Sequence, residues 1–239
     1  LSKSADKANG VSVIVCTNRP QFFHNILRNF LNQRYAHKEL IIILNKDSMD
    51  VRQYRNKIRA YPRISVYQVP EKISLGQCLN CGIAKARLPL IAKFDDDDYY
   101  SPFYLREQVK ALRRTKSDIV GKHASLVYLE ASKKLIIRSP GEANKQAHFV
   151  QGGTLLFTGR VSRQVRFPDR SLGEDVAFLK QCRDKGYETY ATSPYNYVYM
   201  RRENKRSHTW RVPDRFYLRG SKPVAHTVRY RSIAVRYCR

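Results

Sequence analysis

The stretch Leu90-Ile91-Ala92-Lys93-Phe94-Asp95-Asp96-Asp97-Asp98 decides how this chain is read. An apolar run ends in four consecutive aspartates, in a protein whose formal net charge is +25. Carboxylates packed this tightly repel one another. They stay ionised most easily beside a bound cation, which turns repulsion into ligation. Their place matters as much as their number. The apolar run reads as a buried strand, and the acids follow its C-terminal end, where open α/β sheets bind ligands. One aspartate there would read as a turn or a helix cap; four in a row read as a site.

Working back from this stretch, strands and helices alternate. Val11-Ser12-Val13-Ile14-Val15-Cys16 is a compact apolar strand, broken by Thr17-Asn18-Arg19-Pro20. Residues 22–33 place Phe22, Ile26, Phe30 and Leu31 near helical spacing. Glu39-Leu40-Ile41-Ile42-Ile43-Leu44 is a second strand, and a polar helix is expected near 50–60. Ile64-Ser65-Val66-Tyr67-Gln68-Val69 is a third strand, ended by Pro70, and a helix capped by Ser74 runs to Ala86. Four such alternations in the first 115 residues are the mark of βαβ units and a parallel sheet. The strands are continuous apolar runs, as expected where helices cover both faces.

The second half differs. Residues 118–128 and 135–138 read as strands with no helix between them. Gln151-Gly152-Gly153-Thr154 leads into the strand Leu155-Leu156-Phe157. Leu172-Gly173-Glu174-Asp175 opens a helix, Gly186 is its expected stop, and a short strand pair at 189–191 and 195–200 follows. Beyond Val212 the chain is basic, aromatic and poorly periodic. The expected organisation is a polar lead-in at 1–10, one domain over 11–212 with halves at 11–115 and 116–212, and a basic tail at 213–239.

The 239 residues are 42% hydrophobic, enough for a core and against global disorder. No apolar run approaches the roughly 20 residues of a membrane span. The chain begins Leu-Ser-Lys-Ser, which reads as a processed or excised segment. Of five cysteines, Cys78 and Cys81 form a C-x-x-C with no second ligand pair at suitable spacing, so helical packing in a reducing compartment is expected. From Arg201 to Arg239 twelve Lys/Arg stand against two acids, so this stretch attracts nucleic acid, anionic lipid, a phosphate-bearing polymer or a nucleotide. Walker A and G-x-G-x-x-G sequences are absent. A divalent ion on carboxylates is the remaining candidate for holding phosphate.

Four stretches, in order, resemble the family 2 glycosyltransferases of the GT-A fold, bacterial type. They are 11–16 with Thr17-Asn18-Arg19, then Leu75-Gly76-Gln77-Cys78-Leu79-Asn80-Cys81-Gly82-Ile83, then Phe94-Asp95-Asp96-Asp97-Asp98 followed by Pro102, then Gly173-Glu174-Asp175. The second matches a Gly-x-x-x-Asn-x-Gly helix, the third a D-x-D segment, the fourth a Glu-Asp pair at a helix start. The resemblance implies an α/β fold with a Rossmann-like, mostly parallel central sheet, helices on both faces and a smaller mixed or antiparallel acceptor-side part.

It also implies an inverting, metal-dependent transfer of a hexose from a nucleotide-sugar, by default a UDP-sugar, to a hydroxyl of a glycan or cell-envelope polymer. Asp175 is the implied general base. Thr17, Asn18, Arg19, Asn45, Gly76, Asn80, Asp95 and Asp96 are the implied nucleotide-sugar contacts. Asn45 stands where relatives often carry an aspartate that reads the base. Asp97 and His208 are the implied ligands of Mn²⁺ or Mg²⁺, with Asp95 and Asp98 as further candidates. Gly152, Gly153, Glu174 and Trp210 fall on the acceptor side. The expected setting is cytoplasmic, with peripheral contact to an anionic membrane surface or to other enzymes of a glycan pathway. The basic tail suggests an anionic polymer acceptor.

Two other classes compete. A nucleic-acid-binding protein would fit the charge and the 16 tyrosines, but no RNA or DNA module signature is present. A metal-dependent nucleotidyltransferase or hydrolase could use Asp95, Asp97 and Asp175 on two metals.

Overall fold

The computed structural model describes residues 9–204 and 212–237. Its first half is built as the alternation predicts. β1 (Val11–Thr17), β2 (Lys38–Leu44), β3 (Ile64–Gln68) and β4 (Leu90–Lys93) lie side by side in the order β3-β2-β1-β4, all parallel. The connecting helices are α1 (Phe23–Leu31), α2 (Val51–Lys57) and α3 (Leu75–Ala84). Successive strand residues face opposite sides. Val13 and Val15 accordingly join the core that holds Phe23, Ile26 and Phe30 of α1, while Ile14 joins the other, with Leu79 and Ile83 of α3. The sheet is covered on both faces. Ser74 caps α3 as expected, its hydroxyl accepting from the Gln77 amide at 3.2 Å.

After the acid run come β5 (Tyr99–Tyr100) and α4 (Tyr104–Thr115), then β6 (Ile119–Gly121), β7 (Ser125–Leu129), β8 (Lys134–Arg138) and β9 (Lys145–Gln146). β10 (Leu156–Thr158), α5 (Gly159–Gln164), α6 (Glu174–Asp184), β11 (Thr189–Ala191) and β12 (Tyr197–Arg201) follow. The large sheet continues β4-β10-β6-β11-β9, with β10 antiparallel to both its neighbours. A second, mixed sheet has the order β13-β8-β7-β12-β5, where β13 is Lys222–His226. This is the α/β architecture, a mostly parallel large sheet beside a smaller mixed one, that the resemblance implies.

Two expectations are corrected here. The single strand at 118–128 is two strands in different sheets, because the chain crosses over at Lys122. That side chain is fully buried, with its Nζ donating to Ser193 O at 2.7 Å and lying 3.2 Å from Glu107 Oε2. A buried amine needs such partners, and they fix the crossover. The strands at 189–191 and 195–200 are not a pair: β11 lies beside β6 in the large sheet, and β12 lies between β7 and β5 in the small one. The basic stretch beyond Val212 carries structure that poor periodicity hid. β13 pairs with β8, α7 (Asp214–Leu218) buries Tyr217, and α8 (Tyr230–Ala234) buries Ala234. Among the described residues, no helix is long and apolar enough to cross a membrane.

Candidate functional site

β4 delivers the acid run to the carboxyl edge of the sheet, and other elements hold its backbone there. Asn25 Nδ2 on α1 donates to the carbonyls of Asp96 (2.8 Å) and Asp98 (2.9 Å), and Asn29 Nδ2 donates to Asp98 O at 2.8 Å. Phe94 stacks on Tyr100 at 3.7 Å, and the Tyr100 hydroxyl bridges the run to the next wall: it accepts from Asp95 N–H at 2.7 Å and donates to Gly153 O at 2.5 Å. Like charges can be crowded here because each carboxylate has its own surroundings.

Asp96 is buried; it accepts from Thr17 Oγ1 at 2.6 Å and is paired with the Arg19 guanidinium. Burial pushes its carboxyl up to about 6, Asp97 adds to this, and Arg19 and Thr17 oppose it. Asp97 faces a large cavity, with Oδ2 3.1 Å from Arg19 Nη1 and 3.7 Å from Arg202 Nε. Arg202 also donates to Asp97 O at 2.7 Å, and both arginines lie over the Phe22 ring. Burial works against the Arg19 charge, but Asp96 and Asp97 outweigh it and raise its pKa. Asp95 faces the cavity beside Lys93. Asp98 turns inward: it is buried, accepting from Tyr197 Oη at 2.5 Å and from Met200 N–H at 2.9 Å. Both Asp98 oxygens, expected as possible metal ligands, are engaged by the fold.

The cavity measures about 870 Å³ and also receives Thr17, Asn18, Asn45, Gly152, Gly153, Glu174 and Asp175. Gly152 and Gly153 form a thin partition. A Cβ on Gly153 would fall 2.5 Å from Asp95 Oδ2, and one on Gly152 would fall 2.9 Å from Asp175 Cγ. Any side chain on either residue would push a carboxylate aside. Asp95 and Asp175, eighty residues apart in sequence, thus flank one short backbone segment. Glu174 and Asp175 open α6 directly after Gly173, whose φ of +72° suits glycine. Burial pushes Glu174 up to about 6; Lys93 pulls it down and Asp175 raises it further.

Two expected nucleotide contacts sit elsewhere. Gly76 and Asn80 do not line the cavity. A Cβ on Gly76 would strike the Pro168 carbonyl group, 3.0 Å from its carbon. Asn80 exchanges two hydrogen bonds with the Phe167 backbone, at 2.8 and 3.0 Å. Leu75 N–H donates to Ser171 Oγ at 3.1 Å, and Gln77 donates to Asp169 at 2.6 Å. This face of α3 is a splint for 167–171, the segment that leads into Glu174 and Asp175. His208 and Trp210 lie outside the described residues. The lining also includes groups the sequence did not single out: Lys93, His123, Arg138, Phe149, Leu172 and Tyr217. Lys93 carried a readable signal, a charge inside an apolar strand. Arg138 and Tyr217 carried none, because only β8 of the second sheet and the helix α7 bring them to the cavity.

Among the described residues no three His, Cys, Asp or Glu side chains form a metal cage. The donor set fits a different mode. Mg²⁺ and Mn²⁺ are commonly held by one or two carboxylates together with substrate phosphates, and Asp97 offers one such carboxylate at the cavity wall.

The family model for Glycosyl transferase family 2 matches residues 12–137, more than half of the chain. The chain belongs to glycosyltransferase family 2. Its likeness to the O-antigen biosynthesis glycosyltransferase WbnJ of Escherichia coli is 29% identity over 120 residues, covering 49% of this chain and 47% of that protein. The family 2 chain thus spans about half the length of that relative. The mannosyltransferase PcManGT of Pyrobaculum calidifontis, solved with GDP-Man and Mn²⁺, superposes with a TM-score of 0.63 at 17% identity, over 87% of this chain and 58% of that one. S. aureus TarS 1-349, solved with UDP-GlcNAc, gives 0.64 at 17% identity, over 88% and 64%. These two likenesses carry the fold.

Proposed function

We propose that this family 2 chain is an inverting hexosyltransferase that takes its sugar from a nucleotide-sugar, with a UDP-sugar as the first candidate, and uses a divalent cation. The observation that carries this is the pair of carboxylates, Asp95 and Asp175, pressed against Gly152-Gly153 in one cavity. Asp175 takes the proton from an acceptor hydroxyl. The freed oxygen pair forms a bond to the anomeric carbon, and the carbon–oxygen bond to the diphosphate breaks with its electrons leaving on that oxygen. One displacement of this kind inverts the centre. Arg19 and Arg202, already at Asp97, receive the leaving diphosphate through their forked donors. A cation bound at Asp97 supplies further neutralisation of that charge.

Asn45 supports a uracil base: its Nδ2 donates to Pro70 O at 2.8 Å, so its Oδ1 is the atom available to accept from a base N–H. The GDP-Man and UDP-GlcNAc complexes of the two structural neighbours bear on donor class, and the Mn²⁺ of one bears on metal use. On the acceptor side, exposed Leu172 and Val176 flank Asp175 at the mouth. The acceptor is proposed to be a glycan or anionic polymer, matching the basic C-terminal stretch.

The test is thermal stability against a panel of nucleoside diphosphates with and without Mn²⁺. A ligand that binds the folded state at about a hundred times its Kd adds about 2.7 kcal/mol. One diphosphate should raise the transition by several degrees, only with metal, and Asp97→Ala should abolish the shift. A folded sample that responds to no diphosphate refutes the proposal.

A further inference from the structure

The mechanism above leaves Lys93 without a task. It ends β4 inside an apolar strand, is 5% exposed and lines the cavity. Its backbone N–H donates to Leu155 O at 2.8 Å, which locks β4 to the chain just after Gly152-Gly153. Its Nζ lies 2.5 Å from Asp95 Oδ1. The same carboxylate abuts Gly153 with its other oxygen, while Asp175 abuts Gly152. One buried ammonium thus stands among carboxylates from β4 and from α6. Burial works against its charge, yet Asp95, Glu174 and Asp175 outweigh that and raise it above the ordinary lysine range. Arg19 and Arg202, two further cations at this end, are engaged with Asp96 and Asp97.

We propose that Lys93 is a positioning residue for glycosyl transfer: its ammonium fixes the Asp95 carboxylate against Gly153, on the partition that Asp175 abuts at Gly152. The inference rests on the glycosyltransferase mechanism proposed above. A compact point charge suits this place, since an ammonium can turn its three donors toward neighbours on different elements. Without it, the Asp95 carboxylate loses the partner that holds it against Gly153, and the wall it shares with Asp175 loses its fixed shape.

The test uses Lys93→Met and Lys93→Arg in the full chain. Release of nucleoside diphosphate from a nucleotide-sugar is followed, with water or added glycan as acceptor, and thermal transitions and nucleoside diphosphate affinity are measured beside it. Lys93→Met should lower kcat about 100-fold, with a smaller change in diphosphate affinity. Lys93→Arg keeps the charge, but its planar fork displaces Asp95 and kcat falls about tenfold.

A folded Lys93→Met whose kcat is within about threefold of wild type overturns the inference alone. If Lys93→Met does not fold, Lys93→Arg decides: wild-type kcat in that variant overturns the positioning role. Wild-type protein that binds no nucleoside diphosphate and cleaves no nucleotide-sugar overturns the glycosyltransferase mechanism and this inference with it.

Discussion

Replacing Gly152 by alanine adds a single methyl group at the wall between Asp95 and Asp175. That methyl would lie 2.9 Å from both Cβ and Cγ of Asp175 and nearer still to Oδ2, where ordinary contact begins at 3.4 Å. Gly152 has no positive φ, so the backbone itself accepts alanine. The conflict therefore falls on Asp175. Its Cγ must retreat by about half an ångström and its outer oxygen by about 1 Å, a misplacement of the size that can cost a factor of about 100 in rate. The fold should bear the change well, because the displaced atoms belong to a side chain at the start of α6, facing open cavity. We expect Gly152→Ala to lose about 100-fold in kcat for nucleoside diphosphate release, with diphosphate affinity little altered and a thermal transition within a few degrees of wild type. A folded Gly152→Ala with kcat within about threefold of wild type would refute the placement of the base on this partition.

Other changes separate scaffold from chemistry. Asn80→Ala removes both hydrogen bonds to Phe167 and should destabilise the fold by about 1–3 kcal/mol in urea titrations. It should lower kcat through the loosened 167–171 segment while leaving nucleoside diphosphate affinity nearly unchanged; a selective loss of that affinity would restore Asn80 as a nucleotide contact. Asp98→Ala strands the Tyr197 hydroxyl and the Met200 amide and should cost about 2–4 kcal/mol, with metal-dependent diphosphate binding retained in the folded fraction. Loss of metal dependence in that folded fraction would count against the inward role. Glu174 has a folded pKa of about 6 against an ordinary 4.5, so its protonated form favours folding. Its contribution is complete below about pH 4.5 and is lost as pH rises through about 6; Glu174→Gln should flatten the thermal transition against pH across that window, and an unchanged profile would contradict it.

The first half was legible because its signals are local and agree with one another. Ile41, Ile42, Ile43 and Leu44 read as one buried run and are all buried. Ser74 read as a cap and is one. The partition was half legible: Gly152-Gly153 stood out, but the reason for two glycines is the approach of Asp95 and Asp175 from distant parts of the chain. The crossover at Lys122 was hidden, since the apolar pairs Ile119-Val120 and Leu126-Val127 lie close on either side of it and the signal for a break is a buried amine with partners on α4 and beside β11. The C-terminal stretch hid its strand for a related reason. Lys222–His226 pairs at the edge of the small sheet, only partly buried, so it has no apolar run to announce it.

Gly76 and Asn80 read from the motif as nucleotide contacts, whereas the structure places neither on the cavity wall. A glycine and an asparagine on one helix near a nucleotide site invite assignment to the nucleotide, and nothing in the local sequence says otherwise. The partners that decide the matter, Phe167 and Pro168, lie about ninety residues later. What the motif supplies is a helix face smooth enough for another backbone to lie on, with one amide that grips it by a donor and an acceptor at once. That grip sets where 167–171 ends and where Glu174 and Asp175 begin. On the proposed mechanism the residue types serve the reaction through the position of Asp175. It follows that changes on α3 should act on kcat before they act on donor affinity, whereas changes at Arg19, which pairs with Asp96 and Asp97 at the cavity wall, should act on donor affinity first.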